Sequence, residues 1–159
     1  MTKCYVKTSS AEETKALGKS IGNGLPKGTI VLLSGDLGCG KTTLTRGIAN
    51  ALGIPEDEVT SPSFNIIHEY DSFVHIDFYR LSSEDALEDL GLDEILLDDR
   101  IKVIEWFEVG ANYLENLNVP IVKINCLFCD ENERTFEIID PSGILCEKIK
   151  KGGFNVKDS

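Results

Sequence analysis

Alternating strand and helix patterns predict an α/β fold with a mostly parallel central sheet. Three observations carry the prediction. The run Thr29-Ile-Val-Leu-Leu-Ser34 is continuously apolar, as in a strand buried on both faces. A glycine-rich turn, GDLGCGKT, follows it at once. Beyond the turn, Leu44, Ile48, Ala51 and Leu52 mark one face of a helix that Gly53 and Pro55 stop.

The other elements follow in chain order. Ser10-Ala-Glu-Glu13 is a capping box, and Leu17 and Ile21 continue at helical spacing, so a helix is expected over 11–22. After the glycine-rich turn and its helix comes a polar loop, Val59-Thr-Ser-Pro-Ser63. FNIIHEY and FVHIDFY read as two strands joined by a tight turn at Asp71-Ser72. Ser82-Ser-Glu-Asp85 caps a further helix, and Ile101-Lys-Val-Ile-Glu105 is a second buried strand. Two late strands fall near 119–128 and 134–139. The chain of 159 residues fits one domain, 1–150, and the polar tail 151–159 is expected to be disordered at its end.

Composition narrows the function. The chain has 27 Asp and Glu against 16 Lys and Arg, a formal charge of −11. A protein that grips a polynucleotide alone shows a basic stripe, because phosphate neutralisation dominates such affinity. None is visible, so any nucleic acid is expected to be held by another protein. The N-terminus lacks an apolar signal core, and no run reaches the roughly 18 apolar residues of a membrane span. A cytoplasmic location is expected. The 5 cysteines (Cys4, Cys39, Cys126, Cys129 and Cys146) are odd in number and without framework spacing, which suits reduced thiols.

Gly35-Asp-Leu-Gly-Cys-Gly-Lys-Thr42 matches the phosphate-binding P-loop, G-x-x-x-x-G-K-[ST], in its required context of strand before and helix after. The glycines let successive N–H groups converge on phosphate oxygens, and the following helix aims its positive end at the same anion. Lys41 brings a full charge to the outer phosphates, and the Thr42 hydroxyl can ligate Mg²⁺. The fold class is therefore the P-loop NTPase three-layer sandwich. Cys39 lies within the loop beside a cationic lysine, where its oxidation would block nucleotide entry, although any small residue would serve there.

Hydrolysis needs an acid at a neighbouring strand end to organise Mg²⁺ and water. Asp77, Glu105 and Asp140 each follow an apolar run. Glu105 ends the most continuously apolar of them and best fits a central strand opening on the site. Asp77, flanked by His75 and Arg80, suits a place nearer the γ-phosphate. Asp140 begins DPSG, which matches the D-x-x-G of GTPases, but no N-K-x-D segment follows and a turn is the better reading.

Taken together these residues resemble the TsaE family, formerly the YjeE-type P-loop ATPases. The resemblance rests on GDLGCGKTTLTRG (35–47), TSPSF (60–64), HIDFYRL (75–81) and VIEW (103–106), in that order. It implies an ATPase of bacterial tRNA modification, which helps form N6-threonylcarbamoyladenosine at position 37 of tRNAs reading ANN codons. It also implies two partners, the transferase TsaD and its paralogue TsaB, with tRNA contacted only through them. On this resemblance ATP is cradled by Asp36, Leu37, Gly38, Cys39, Gly40, Lys41, Thr42 and Thr43. Thr42 and Glu105 hold Mg²⁺, Asp77 orients water, and Arg134 lies beside the adenine. Thr60 and Ser61 are the polar members of a switch-like loop, in which Ser63 stands where the family usually has Thr. Trp106 belongs to the signature.

Three features stand apart from the loop. Cys126-Leu-Phe-Cys129 lies in an extended segment, where residues three apart face opposite ways, so a metal pair is not expected. The stretch Glu84–Asp99 carries 8 acids and no base, and reads as a solvated helical face or a docking surface for a basic partner. His68 and His75 are expected on different strands in structural roles. Two rival functions stay open: a small-molecule kinase, for which 4 scattered arginines make a poor lid, and an ATP-switched binding module with little turnover.

Overall fold

The computed structural model describes residues 2–35, 39–59, 67–78, 91–105 and 107–158. The strands are β1 (Lys3–Thr8), β2 (Ile30–Ser34), β3 (Ile67–Glu69), β4 (Phe73–Asp77), β5 (Ile101–Glu105), β6 (Ile121–Cys129), β7 (Arg134–Ile139) and β8 (Asn155–Lys157). The helices are α1 (Ala11–Gly24), α2 (Lys41–Ala51), α3 (Leu92–Leu96), α4 (Ala111–Glu115) and α5 (Ile144–Lys151). Among the described residues, the eight strands join one sheet in the order β3-β4-β5-β2-β6-β7-β1-β8.

The parallel pairing that the buried runs predict occupies the middle of this sheet. β4 pairs with β5, β5 with β2 and β2 with β6, all in parallel. The flanks are antiparallel, and local turns explain two of the pairings. β3 and β4 meet through the tight turn at Asp71-Ser72. β6 and β7 meet through a turn in which the Asp130 carboxylate accepts the N–H groups of Asn132 (2.8 Å) and Glu133 (2.6 Å).

Period-2 alternation splits β2 between two cores. Val31 and Leu33 face a core closed by Leu17 and Ile21 of α1, Leu44 and Ile48 of α2, and Leu145 and Ile149 of α5. Ile30 and Leu32 face a second core with Leu92 and Leu96 of α3 and Leu114 of α4. Helices on both faces of one sheet make the three-layer sandwich. α1 and α2 approach unusually closely. A Cβ at Gly18 would lie 2.3 Å from the Leu44 carbonyl oxygen, and one at Gly47 would lie 2.2 Å from that of Lys15. Those two glycines lock the helix that leaves the P-loop against the N-terminal helix.

Three elements correct the sequence reading. β1 precedes α1, with Cys4, Val6 and Thr8 buried between outward Lys3, Tyr5 and Lys7. α5 forms after Asp140, whose carboxylate accepts N–H groups of Ser142 (3.0 Å) and Leu145 (2.9 Å) and so caps the helix start. The tail expected to be disordered instead supplies β8, where Val156 pairs across from Val6 at the sheet edge. The helix expected from Ser82 lies outside the described residues, as do residues 84–90 of the acidic stretch. Among the described residues, no helix is long and apolar enough to cross a membrane.

Candidate functional site

The P-loop leaves the carboxyl end of β2 and enters α2 at Lys41. Gly35 and Gly40 adopt φ of +144° and +85°, conformations that side chains with a Cβ rarely take. Space adds to this firmly at Gly35, against a strand residue's Cβ, and only weakly at Gly40, against a flexible arginine side chain. A Cβ on Gly35 would lie 2.7 Å from Cys126 Cβ, and one on Gly40 would lie 2.4 Å from Arg134 Nε. Asp36, Leu37 and Gly38 lie outside the described residues.

Parallel register then assembles the acids. Asp77 pairs with Glu105 across β4 and β5, and Leu33 of β2 pairs with Glu105 on its other side. Both residues therefore stand at the carboxyl ends of their strands, where ligands bind in such sheets, Glu105 next to the loop-bearing strand and Asp77 one strand farther out. Glu105 is 6% exposed and Lys41 7%. Lys41 Nζ lies 3.7 Å from Glu105 Oε1, while Glu105 Oε2 lies 2.6 Å from His75 Nε2. Burial pushes the Glu105 carboxyl up, but the hydrogen bond and charge of His75, with the charge of Lys41, outweigh it and hold the carboxyl below its usual range.

His75 is a residue whose contribution the sequence reading missed. It lies two residues before Asp77 on the same face of β4, so the pattern HID at a strand end was the available signal. It also sits opposite His68, so the two histidines do occupy neighbouring strands.

The remaining candidates separate clearly. Thr42 and Thr43 lie half-buried in the first turn of α2. Arg134 begins β7 at the loop end of the sheet, its side chain packed on Gly40, and its Nε and Nη1 are buried without a hydrogen-bond partner among the described residues. Two buried guanidinium nitrogens with no such partner, set against the loop, suit contact with an anion. Asp140 lies at the opposite end and is consumed by the α5 cap, so DPSG is a turn, as expected. Thr60, Ser61, Ser63 and Trp106 lie outside the described residues. A groove of about 650 Å³ opens near Pro26, Pro120 and Lys148, by the starts of β2 and β6 and far in the sheet from the loop.

The cysteines depart from expectation. Cys4 of β1 is disulfide-bonded to Cys146 of α5, and Cys39 of the loop to Cys126 of β6; Cys129 alone is a free thiol. Cys126 and Cys129 also share a face, against the alternation rule. Between them β6 carries a bulge: Cys126 pairs with Phe136 and Phe128 with Thr135, so two steps on β6 match one on β7. The extra residue inverts the alternation beyond it. As a result the Sγ atoms of Cys39, Cys126 and Cys129 lie within 4.8 Å of one another.

The donor set beside Lys41 suits a hard cation and a polyphosphate. Thr42 offers a hydroxyl, and Asp77 and Glu105 offer carboxylates, the oxygen ligands that Mg²⁺ takes. His75 engages one oxygen of Glu105 and leaves the other turned toward the loop lysine.

Comparison with known proteins agrees with this geometry. The family model "Threonylcarbamoyl adenosine biosynthesis protein TsaE" matches residues 8–136. A tRNA threonylcarbamoyladenosine biosynthesis protein TsaE of Bacillus subtilis is 39% identical over 150 residues, covering 91% of this chain and 92% of that protein. Its namesake from Rickettsia felis is 37% identical over 135 residues, covering 82% and 77%. Among solved structures, the crystal structure of YdiB from Bacillus subtilis superposes with a TM-score of 0.72 at 30% identity, covering 95% of this chain and 96% of that one. The match runs from the end of β1 through the P-loop and Glu105 to β7, and with it the chain belongs to the TsaE family.

Proposed function

We propose that the chain is a Mg²⁺-dependent ATPase, acting in the cytoplasm as an accessory subunit in formation of N6-threonylcarbamoyladenosine at position 37 of tRNAs reading ANN codons. TsaD- and TsaB-type proteins are its partners, and tRNA reaches it only through them. The observation that carries the reading is the buried Lys41–Glu105–His75 chain beside a P-loop, with Asp77 in register next to it. Lys41 and the loop N–H groups stabilise charge on the outer phosphates. Thr42 and Glu105 would hold Mg²⁺, which when bound neutralises charge on the phosphate oxygens. His75 fixes the orientation of Glu105, and Asp77 would orient water.

The described arginines weigh against a kinase lid. Arg46 Nε donates to the Val59 carbonyl (2.9 Å), and Arg100 is held by Asp98 and Glu69 at the far end of β5. Only Arg134 of the described arginines packs on the loop. The strongly acidic surface suits a subunit that leaves tRNA to its partners.

The test is threonylcarbamoyl transfer to unmodified tRNA by the two partner proteins over many turnovers, with donor supplied. Sustained modification should need the wild-type chain and fail with Lys41→Ala. If modification proceeds equally without the chain, the assigned pathway is wrong.

A further inference from the structure

We propose that Cys39 and Cys126 form a reversible disulfide that lowers the nucleotide affinity of the P-loop, and that Cys129 is the thiol through which oxidant and reductant reach it. The proposal rests on the reading of the loop as an ATP site.

Three observations converge. Both ends of the loop lean on one residue of β6: Gly35 is packed against Cys126, and Cys39 is bonded to it. P-loop amides hold phosphate only when they point at it, and a covalent tie at Cys39 fixes the backbone that carries one of them. Second, Cys39 is sheltered at 2% exposed, whereas Cys126 and Cys129 are half-buried, so the reagent meets the cluster from the β6 side. Third, the β6 bulge brings Cys129 Sγ within 4.8 Å of both bonded sulfurs, close enough for exchange after a side-chain rotation.

The chemistry balances with a small-molecule disulfide such as oxidised glutathione. The Cys129 thiolate attacks one sulfur of that disulfide, forming a mixed disulfide and expelling one thiolate. Cys126 then attacks Cys129 Sγ and expels the second glutathione. Cys39 attacks Cys126 Sγ, the Cys126–Cys129 bond breaks, and Cys129 leaves as a thiolate. In sum, two protein thiols lose two electrons and two protons, and one glutathione disulfide becomes two thiols. A thiol reductant runs the same steps backwards.

The experiment uses the full chain equilibrated in reduced or oxidised glutathione. Its disulfides are mapped by alkylation and peptide mass spectrometry, and its affinity for a fluorescent ATP analogue with Mg²⁺ is measured. Mapping scores Cys4–Cys146 separately. Reduced protein should bind the analogue at least tenfold more tightly than oxidised protein, and reductant should restore affinity. Cys129→Ser should slow closing and reopening of Cys39–Cys126 at least tenfold. Cys126→Ser, with Cys126→Ala in reserve should the serine variant fail to fold, should bind like reduced wild type whatever the glutathione poise.

Equal affinity in both states overturns the gating, and an unchanged exchange rate in Cys129→Ser overturns the relay. Stoichiometric Zn²⁺ uptake by the three reduced thiols, with loss of the response to glutathione, would show a metal site in place of the switch. If reduced protein bound no ATP analogue, the ATP reading would fail, while the mapped exchange rates would still judge the relay.

Discussion

Two buried lysines at opposite ends of the parallel strands show how this chain uses charge. Lys102, near the start of β5, is fully buried; its Nζ donates to the carbonyls of Asp98 (2.7 Å) and Gly28 (3.2 Å) and lies 3.7 Å from Asp98 Oδ1. Lys41, at the carboxyl ends, meets Glu105 across 3.7 Å from another element. The first ammonium is held by backbone oxygens of the two loops it ties together. The second faces a carboxylate that also answers to His75. A cation held by carbonyls is scaffold, whereas one ion-paired beside an anion-binding loop can trade its partner for phosphate. Burial pushes Lys102 down despite the attraction of Asp98.

Replacing each lysine should therefore fail differently. Lys41→Ala should lower ATP turnover by on the order of a hundredfold or more while leaving the thermal transition near that of wild type. Steady-state hydrolysis beside thermal denaturation checks both halves. Turnover that survives Lys41→Ala would break the contrast at its active end.

Lys102→Met is the mirror experiment. Two carbonyls lose their donor and Asp98 loses one of two cations, so unfolding free energy should fall by about 2 kcal/mol. Nucleotide affinity should not move. Urea unfolding and ATP titration on the same preparation distinguish the two, and weakened ATP binding at unchanged stability would reverse the assignment of ends.

Glu105→Gln probes the active end more gently. Glutamine keeps the shape and a hydrogen bond to His75 but removes the charge that faces Lys41. The Mg²⁺ concentration for half-maximal turnover should rise roughly tenfold, the scale of a lost charge-assisted contact. A Mg²⁺ titration of turnover that superposes on wild type would remove Glu105 from the metal set.

The two ends also differ in how legible they were. The active end is written in contiguous signals: an apolar run, a glycine pattern, a lysine and an acid at a strand end. Its register, Asp77 beside Glu105, follows once two parallel strands are placed. What escaped depends on distant pairing. Cys4–Cys146 joins residues 142 positions apart, and spacing along the chain says nothing of such a contact. The β6 bulge is a single-residue slip, and it placed Cys129 on the face the alternation rule denied it. β1 was legible by alternation, but its three outward residues are polar or aromatic and no glycine or proline frames it. α5 hides behind an acid that reads equally well as a motif or a cap; only the hydrogen bonds from Ser142 and Leu145 decide.

The smallest expected effect lies at the scaffold end, in the pH dependence of the Asp98–Arg100 pair. Arg100 donates to Asp98 through Nε (2.9 Å) and Nη2 (2.7 Å), and it reaches Glu69 (2.9 Å) and the Tyr70 carbonyl (3.2 Å) as well. Burial pushes the Asp98 carboxyl up, but the hydrogen bonds and charge of Arg100 hold it below the usual carboxylate range. A carboxyl depressed in the folded state stabilises fully above its unfolded pKa, about 3.9, and that stabilisation disappears as pH falls through the lower folded value. Asp98 is 30% exposed, so screening limits the pair to about 1 kcal/mol. Asp98→Asn should therefore cost about that much at pH 7 and progressively less as acid protonates the wild-type carboxyl. Urea unfolding of both proteins from pH 7 to pH 3 checks it. A gap between the two that stays constant across the range would mean that Asp98 acts by hydrogen-bond geometry alone, leaving Lys102 and its carbonyls to hold that end of the sheet.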